Sequence, residues 1–225
     1  MSTLLRKLFD IRPGEGSRAL LMFLYIFSVI SSLLILKPMR NSLFLTNFGA
    51  ENLPYVFILV AVFAAVISTI YSRFAKRIRL HLLIRSALLF IISNLIIFWL
   101  LLYFDYQGGW FIYAFYVWVA IFAVITTSQF WTLANYVFNA REAKRLFGFV
   151  GAGAISGGIF GGYLTNYLAP LIGTNHLIFI CIGLLTLCLI ISQVVWGMRA
   201  QDSQTEQTRQ KQQAGNFKSS SNPFK

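Results

Sequence analysis

The sequence predicts an all-α, polytopic membrane protein with six transmembrane helices. Hydrophobic residues make up 57% of the 225 positions and charged residues 12%, against about 45–50% and 25% in soluble domains. The apolar residues form separate runs, each long enough to cross roughly 30 Å of hydrocarbon. The basic residues collect in alternate connections, as in membrane proteins. The predicted spans are 19–36, 53–72, 82–104, 110–133, 146–171 and 177–198.

The predicted spans leave three regions along the chain. Residues 1–18 resemble a cytoplasmic interfacial segment, because apolar and basic side chains fall on opposite sides of a short helix. Residues 19–200 form the six-helix bundle. Residues 201–225 are rich in Gln, Ser and Lys, which is typical of a disordered cytoplasmic linker or tail. Little chain remains for a soluble catalytic domain, so we do not expect an enzyme.

The formal net charge of +12 indicates orientation, not nucleic-acid binding. Of the 19 basic residues, all except Lys37 and Arg40 lie before the first span, in or around the second connection, in the fourth connection, or after the sixth span. By the positive-inside rule, both termini are cytoplasmic. The expected location is the cell (inner) membrane, with the lipid bilayer as one partner and no nucleic acid.

The end of the first helix carries two cations. If the helix continues past Pro38, then Lys37, Arg40 and Asn41 share one wall. Facing lipid at mid-membrane, each cation would cost about 2.5–3.5 kcal/mol. A cavity that offers two positive charges suits a small anionic solute with phosphate oxygens. The alternative is that both side chains extend to the lipid headgroups.

The fourth helix carries a polar stripe. Ser128, Thr132, Asn135 and Asn139 recur at helical spacing, with Gln129 beside them. Such a stripe is costly against lipid, so it lines a cavity or forms hydrogen bonds between helices. The third and sixth helices, by contrast, are apolar nearly all round and are expected at the lipid-facing periphery. This order suggests two inverted three-helix units.

The fifth helix is rich in glycine. Three pairs have GxxxG spacing, which permits close helix packing: Gly153/Gly157, Gly157/Gly161 and Gly158/Gly162. A phosphate-binding loop is disfavoured, because no strand precedes the glycines and no GK[ST] motif follows. The acids lie at or beyond the helix ends, and His and Cys show no ligand spacing. No catalytic residue, metal or cofactor is expected.

Four stretches resemble one transporter family. They are 139–153 (NAREAKRLFGFVGAG), 36–51 (LKPMRNSL and, further on, GAE), 9–15 (FDIRPGE) and 68–77. The first three look like the bacterial and plastid ATP/ADP translocases and their bacterial relatives, within the major facilitator superfamily. The fourth is similar to that superfamily's loop between helices two and three. In the translocases, basic residues of the first helix pair with acids; here Pro38 and Asn41 stand at the acidic positions.

The resemblance implies the N-terminal half of a twelve-helix nucleotide transporter, possessing one major-facilitator-type half bundle and working by alternating access. The solute would be phosphorylated, such as ATP or ADP. The second six-helix bundle would be a missing C-terminal half, a separate subunit or a second copy. An ion-pair latch between cytoplasmic connections is predicted from Arg73, Lys76, Arg77, Glu142 and Arg145. The alternative is a non-transporting membrane module that binds a partner through its glycine-rich fifth helix.

Overall fold

The computed structural model describes residues 15–75, 77, 79–104 and 108–220. Across these residues it contains helices and short 3₁₀ turns but no strand, and six helices are long and apolar enough to cross a membrane. The prediction of an all-α polytopic membrane protein is therefore confirmed. The helices are α1 (Gly16–Phe48), α2 (Leu53–Ala75), α3 (Leu80–Tyr103), α4 (Gly109–Val137), α5 (Ala140–Ile172) and α6 (Leu177–Ser220).

Two of the helix ends show why the chain turns where it does. Helix α1 runs through Pro38 without a break and ends at Gly49, whose φ of 73° is a conformation that favours glycine. Helix α5 begins with a capping box, in which Asn139 and Glu142 each satisfy a free backbone N–H of the first turn. The predicted continuation of the first helix beyond Pro38 is therefore present.

Helix α1 is the centre of the bundle. It packs against α4, α5 and α6, whereas α2 packs mainly on α4 and α3 mainly on α6. The rest of the chain covers α1 most and α2 least. The sequence analysis places α3 and α6 at the periphery, but α2 is the most peripheral helix. All three helices are apolar nearly all round, so hydropathy cannot predict which of them the rest of the chain buries most.

The helix contacts have an approximate internal symmetry. Exchanging the first three helices with the last three turns the α1–α5 contact into the α4–α2 contact, and both are extensive. The α1–α4 and α3–α6 contacts map onto themselves. The match is incomplete, because α1 packs broadly on α6 while α3 barely touches α4. The pairing pattern agrees with the predicted three-helix units.

Helices α1 and α5 meet backbone to backbone. A Cβ atom added at Gly153, Gly157 or Gly161 would lie 2.7, 2.5 or 2.6 Å from a carbonyl oxygen of α1. Ser31 also donates a hydrogen bond from Oγ to the Gly157 carbonyl at 2.9 Å. Three of the five predicted packing glycines thus form one continuous interface.

The other two predicted packing glycines lie elsewhere. A Cβ at Gly158 would meet Ile30 at an ordinary 3.8 Å, and one at Gly162 would meet no described atom within 4 Å. Each follows an interface glycine by one residue and is therefore rotated by about 100° around the helix. The Gly158/Gly162 pair consequently does not contribute to the close contact with α1.

Two predictions concern the ends of the chain: an interfacial segment at the N-terminus and a disordered tail at the C-terminus. Residues 1–14 lie outside the described residues, so the predicted interfacial segment is not seen, and α1 already begins at Gly16. Helix α6 continues to Ser220, where the composition predicts a disordered linker from residue 201. The reason is that Gln, Glu, Lys, Arg and Ala are strong helix formers, and residues 201–222 contain no proline.

Candidate functional site

Arg40 is held between α1 and α4. Its Nη1 donates a hydrogen bond to the Tyr116 carbonyl oxygen at 3.3 Å, and its Cζ lies 4.2 Å from the centre of the Tyr116 ring. Phe44 packs edge-on against the same ring, with the centroids 5.2 Å apart. The Arg40 Nε is buried and has no hydrogen-bond partner among the described residues. The guanidinium is thus positioned by a cation–π contact, with a donor still uncommitted.

Lys37 and Asn41 lie on the side of α1 that other helices leave uncovered. Leu36 and Met39, on the opposite side, are at most 2% exposed. Lys37 lies roughly 8 Å beyond the midpoint of α1, at 1.5 Å per residue, which is within a hydrocarbon layer about 30 Å thick. Lys37 and Asn41 are therefore exposed, whereas Arg40 is partly buried against α4. The shared wall of the three residues stays a prediction.

The polar stripe of α4 also lies outside the core. Ser128, Thr132 and Asn135 are exposed, and Thr132 donates its hydroxyl hydrogen to the Ser128 carbonyl of its own helix at 2.8 Å. Within the described part of the chain, none of the three side chains makes a hydrogen bond to another helix. The stripe therefore does not join the helices of this bundle, and it presents its polar groups outward.

The structure places these two polar sets at different levels. Arg40 contacts Tyr116, and Ser128 follows Tyr116 by about 18 Å along α4, at 1.5 Å per residue. The cations of α1 and the stripe of α4 therefore do not form one pocket. They lie at two separate positions along the antiparallel helices α1 and α4.

Gln129 differs from the rest of the stripe, because it is completely buried. Tyr25 and Ser28 of α1 are also 0% exposed. The Gln129 amide atoms, the Tyr25 hydroxyl and the Ser28 Oγ have no hydrogen-bond partner among the residues that the structure describes. Tyr71 of α2 lies beside Gln129. These buried, unsatisfied groups favour a polar occupant.

Tyr25 and Ser28 are not among the residues predicted from the sequence. A signal was present, because Ser28, Ser31 and Ser32 interrupt an otherwise apolar run at i, i+3 and i+4, and all three are fully buried. Ser31 and Ser32 donate to backbone carbonyls, as small polar residues in membrane helices commonly do. Ser28 does not, which is why it belongs to the group of unsatisfied atoms.

The described residues of the predicted latch take different partners. Arg145 pairs instead with Glu15, with its Nη2 2.7 Å from Oε2 and 2.9 Å from Oε1. Glu142 accepts a hydrogen bond from the Asn139 backbone N–H at 2.9 Å, as part of the capping box. Because Glu142 occupies the third helical position, its carboxylate bends back to the N-cap residue of α5. The acid that pairs with Arg145 is therefore Glu15.

Arg73 and Arg77, the remaining described members of the predicted latch, are exposed. No ion pair or hydrogen bond links Arg73, Arg77, Glu142 and Arg145 to one another within the described chain. Lys76 lies outside the described residues.

Reversing the charge of Arg145 should loosen the start of α5. We expect Arg145→Glu to lower the free energy of unfolding by about 1–3 kcal/mol, because Glu15 is then left mostly buried beside a second carboxylate. The swap Glu15→Arg with Arg145→Glu should recover at least half of the loss. Thermal unfolding of the purified protein in detergent measures both; equal stability of the single variant and the swap would contradict the pairing.

The described residues contain no group of three His, Cys, Asp or Glu side chains able to hold a metal ion. Comparisons of the chain with protein-family models, curated proteins and solved structures give no match. The resemblance to nucleotide translocases therefore stays a prediction that rests on the sequence motifs alone.

Proposed function

We propose that this chain is the N-terminal half of a secondary transporter for an anionic, phosphorylated solute such as ATP or ADP. One observation carries the proposal: a cation, Lys37, and the polar side chains of the α4 stripe lie on faces of two membrane-type helices that no described helix covers. Against lipid these groups are costly. Polar groups at this depth are tolerated where they line a water-filled path, which a second six-helix bundle would complete.

The cations of α1 and the polar stripe of α4 both suit such a solute chemically. Arg40 is oriented by Tyr116 and retains an uncommitted N–H, so it would donate to a phosphate oxygen, while Lys37 would supply a nearby point charge. Further along, Ser128, Thr132 and Asn135 would exchange hydrogen bonds with the moving solute. Buried Gln129 would become available when α1 and α4 shift.

Alternating access requires the bundle to move against its partner. The close α1–α5 contact and the Glu15–Arg145 pair both lie within this bundle, and they would hold α1 and α5 together while α4 shifts. Arg73, Lys76 and Arg77 would then contact the second bundle, not Glu142. The proposed orientation places this basic end, with both termini, in the cytoplasm of a cell with an inner membrane.

Neutralising the cations of α1 tests the proposal. We expect Arg40→Gln and Lys37→Gln each to raise the half-saturating concentration for uptake of labelled ATP or ADP about tenfold, because a hydrogen bond to a charged group is lost. Arg40→Lys should retain part of the uptake. Cells producing this chain together with the proposed second bundle provide the assay.

Lys144→Gln is the matched control, since Lys144 is an exposed cation at the other end of the bundle. It should leave uptake unchanged. Normal uptake by both α1 variants, with normal amounts of protein in the membrane, would contradict the anion path.

The alternative, a module that docks a partner through α5, receives less support. The glycine face of α5 is already occupied by α1. A partner would have to use the opposite ridge of Ile155, Ile159 and Tyr163, which are each about 70% exposed. Lipid covers such an apolar ridge equally well. Transport-deficient protein that still co-purifies with one stoichiometric partner would favour the alternative.

A further inference from the structure

A cavity of about 250 Å³ lies between α3 and α6, at the end of the bundle where the arginines collect. It is separate from the uncovered faces of α1 and α4. Its lining combines a cation, polar groups and an aromatic ring. The lining residues are His81, Ile84, Arg85, Leu133, Ser192, Gln193, Trp196 and Gly197.

The polar part of this lining suits an anion. Arg85 is exposed and carries a permanent positive charge, and Gln193 is an exposed amide beside it. The His81 Nδ1 is buried and has no hydrogen-bond partner in the described chain. A phosphate oxygen would accept from the guanidinium, from the amide and from an Nδ1–H tautomer. No carboxylate lines the cavity among the residues described there.

The wall of the cavity is built from stacked rings. Trp196 lies parallel to Tyr136 with the centroids 4.5 Å apart, and its ring centre is 5.0 Å from that of His81. Contacts of this kind restrict side-chain rotation. The polar groups are therefore arranged before any ligand arrives, which lowers the entropic cost of binding.

An apolar surface continues from the cavity toward the middle of the bundle. Leu89 follows Arg85 by one helical turn on α3, and Ile190 precedes Gln193 by one turn on α6. Both are about half exposed, as is the neighbouring Val194, and Phe90 beside Leu89 is 68% exposed. The ligand that matches the whole surface therefore has an anionic head and an apolar tail.

We propose that this cavity binds the phosphate headgroup of an anionic phospholipid, whose acyl chains lie along Leu89 and Ile190. Basic cavities between membrane helices at the cytoplasmic surface are suited to such headgroups. A free phosphate ester would use the same polar groups but would gain nothing from the apolar surface. The lipid would thereby tie α3 to α6 from outside the proposed transport path.

The test is ligand-dependent thermal unfolding of the purified full chain in a neutral detergent. Added ligands are phosphatidylglycerol, phosphatidylcholine and glycerol 3-phosphate. We expect phosphatidylglycerol to raise the melting temperature most. Arg85→Gln should raise the half-effective concentration of this lipid about tenfold, because a charge-assisted hydrogen bond is lost. Gly197→Leu should abolish the effect by filling the cavity, since a Cβ at Gly197 meets no described atom within 4 Å.

Each variant has a matched control. Arg141→Gln removes an exposed arginine at the start of α5, outside this cavity. Gly183→Leu introduces the same side chain on α6, also where no described atom lies within 4 Å of a Cβ. Both controls should respond like the unmodified protein. Equal stabilisation by phosphatidylcholine, saturation by glycerol 3-phosphate alone, or unchanged responses of Arg85→Gln and Gly197→Leu would overturn the proposal.

Discussion

Replacing Gly157 by alanine should lower the free energy of unfolding by about 3 kcal/mol, at the upper end of the usual cost of overpacking. The new Cβ would lie 2.5 Å from the Phe27 carbonyl oxygen and 2.9 Å from the Phe27 Cα. These atoms belong to the backbone of α1, so no side-chain rotation can relieve the contact. The two helices would have to separate, and the hydrogen bond from Ser31 to the Gly157 carbonyl would lengthen.

Gly162→Ala is the matched control on the same helix. Its Cβ meets no described atom within 4 Å, so the substitution should stabilise the helix by about 0.5–1 kcal/mol. Titration with a denaturing detergent, followed by circular dichroism, compares the two variants. Equal stability of Gly157→Ala and Gly162→Ala would show that α1 and α5 do not pack through this line of glycines.

Replacing Gln129 by methionine should stabilise the protein and impair transport. Each buried polar atom without a partner costs about 1–3 kcal/mol, and both amide atoms of Gln129 are in this state within the described chain. Methionine has a similar length and no such atoms, so we expect the free energy of unfolding to rise by about 1–3 kcal/mol. If Gln129 meets the solute when the helices shift, uptake should fall at least tenfold.

Thr126→Val is the control, because Thr126 is equally buried but donates its hydroxyl hydrogen to the Phe122 carbonyl at 2.7 Å. It should change stability by less than about 1.5 kcal/mol and leave uptake unaltered. Thermal unfolding and labelled uptake are measured on the same preparations. A destabilised Gln129→Met variant with normal uptake would assign the amide a purely structural role.

Hydropathy alone predicts the helices. Periodicity predicts which residues share one side of a helix. The six spans and the absence of strands follow from composition and run length, and the structure confirms them across the described residues. Lys37, Ser128 and Thr132 are exposed on the bundle, so the cavity predicted from their spacing stays a prediction. These properties are readable because each depends on residues within one helix, and the cost of exposing polar groups to lipid acts on every helix separately.

Contacts between helices are harder to predict from the sequence. GxxxG spacing marks five glycines, but only three of them face α1. The acidic residues at the helix ends are visible in the sequence, yet the choice of Glu15 over Glu142 as the partner of Arg145 depends on the capping box. A spacing rule identifies a face of a helix, and it does not identify the neighbour that the face meets.

The sequence by itself determined that this protein is a bundle of apolar helices, the first of which carries cations and the fourth a polar stripe. Only the tertiary structure decided that α1 lies at the centre, that Arg40 stacks on Tyr116, and that the cations and the stripe stand about 18 Å apart along α4. The physical reason is that periodicity specifies rotation about a helix axis, whereas the vertical register of two helices depends on packing between them. In this bundle that packing is governed by three glycines against the backbone of α1.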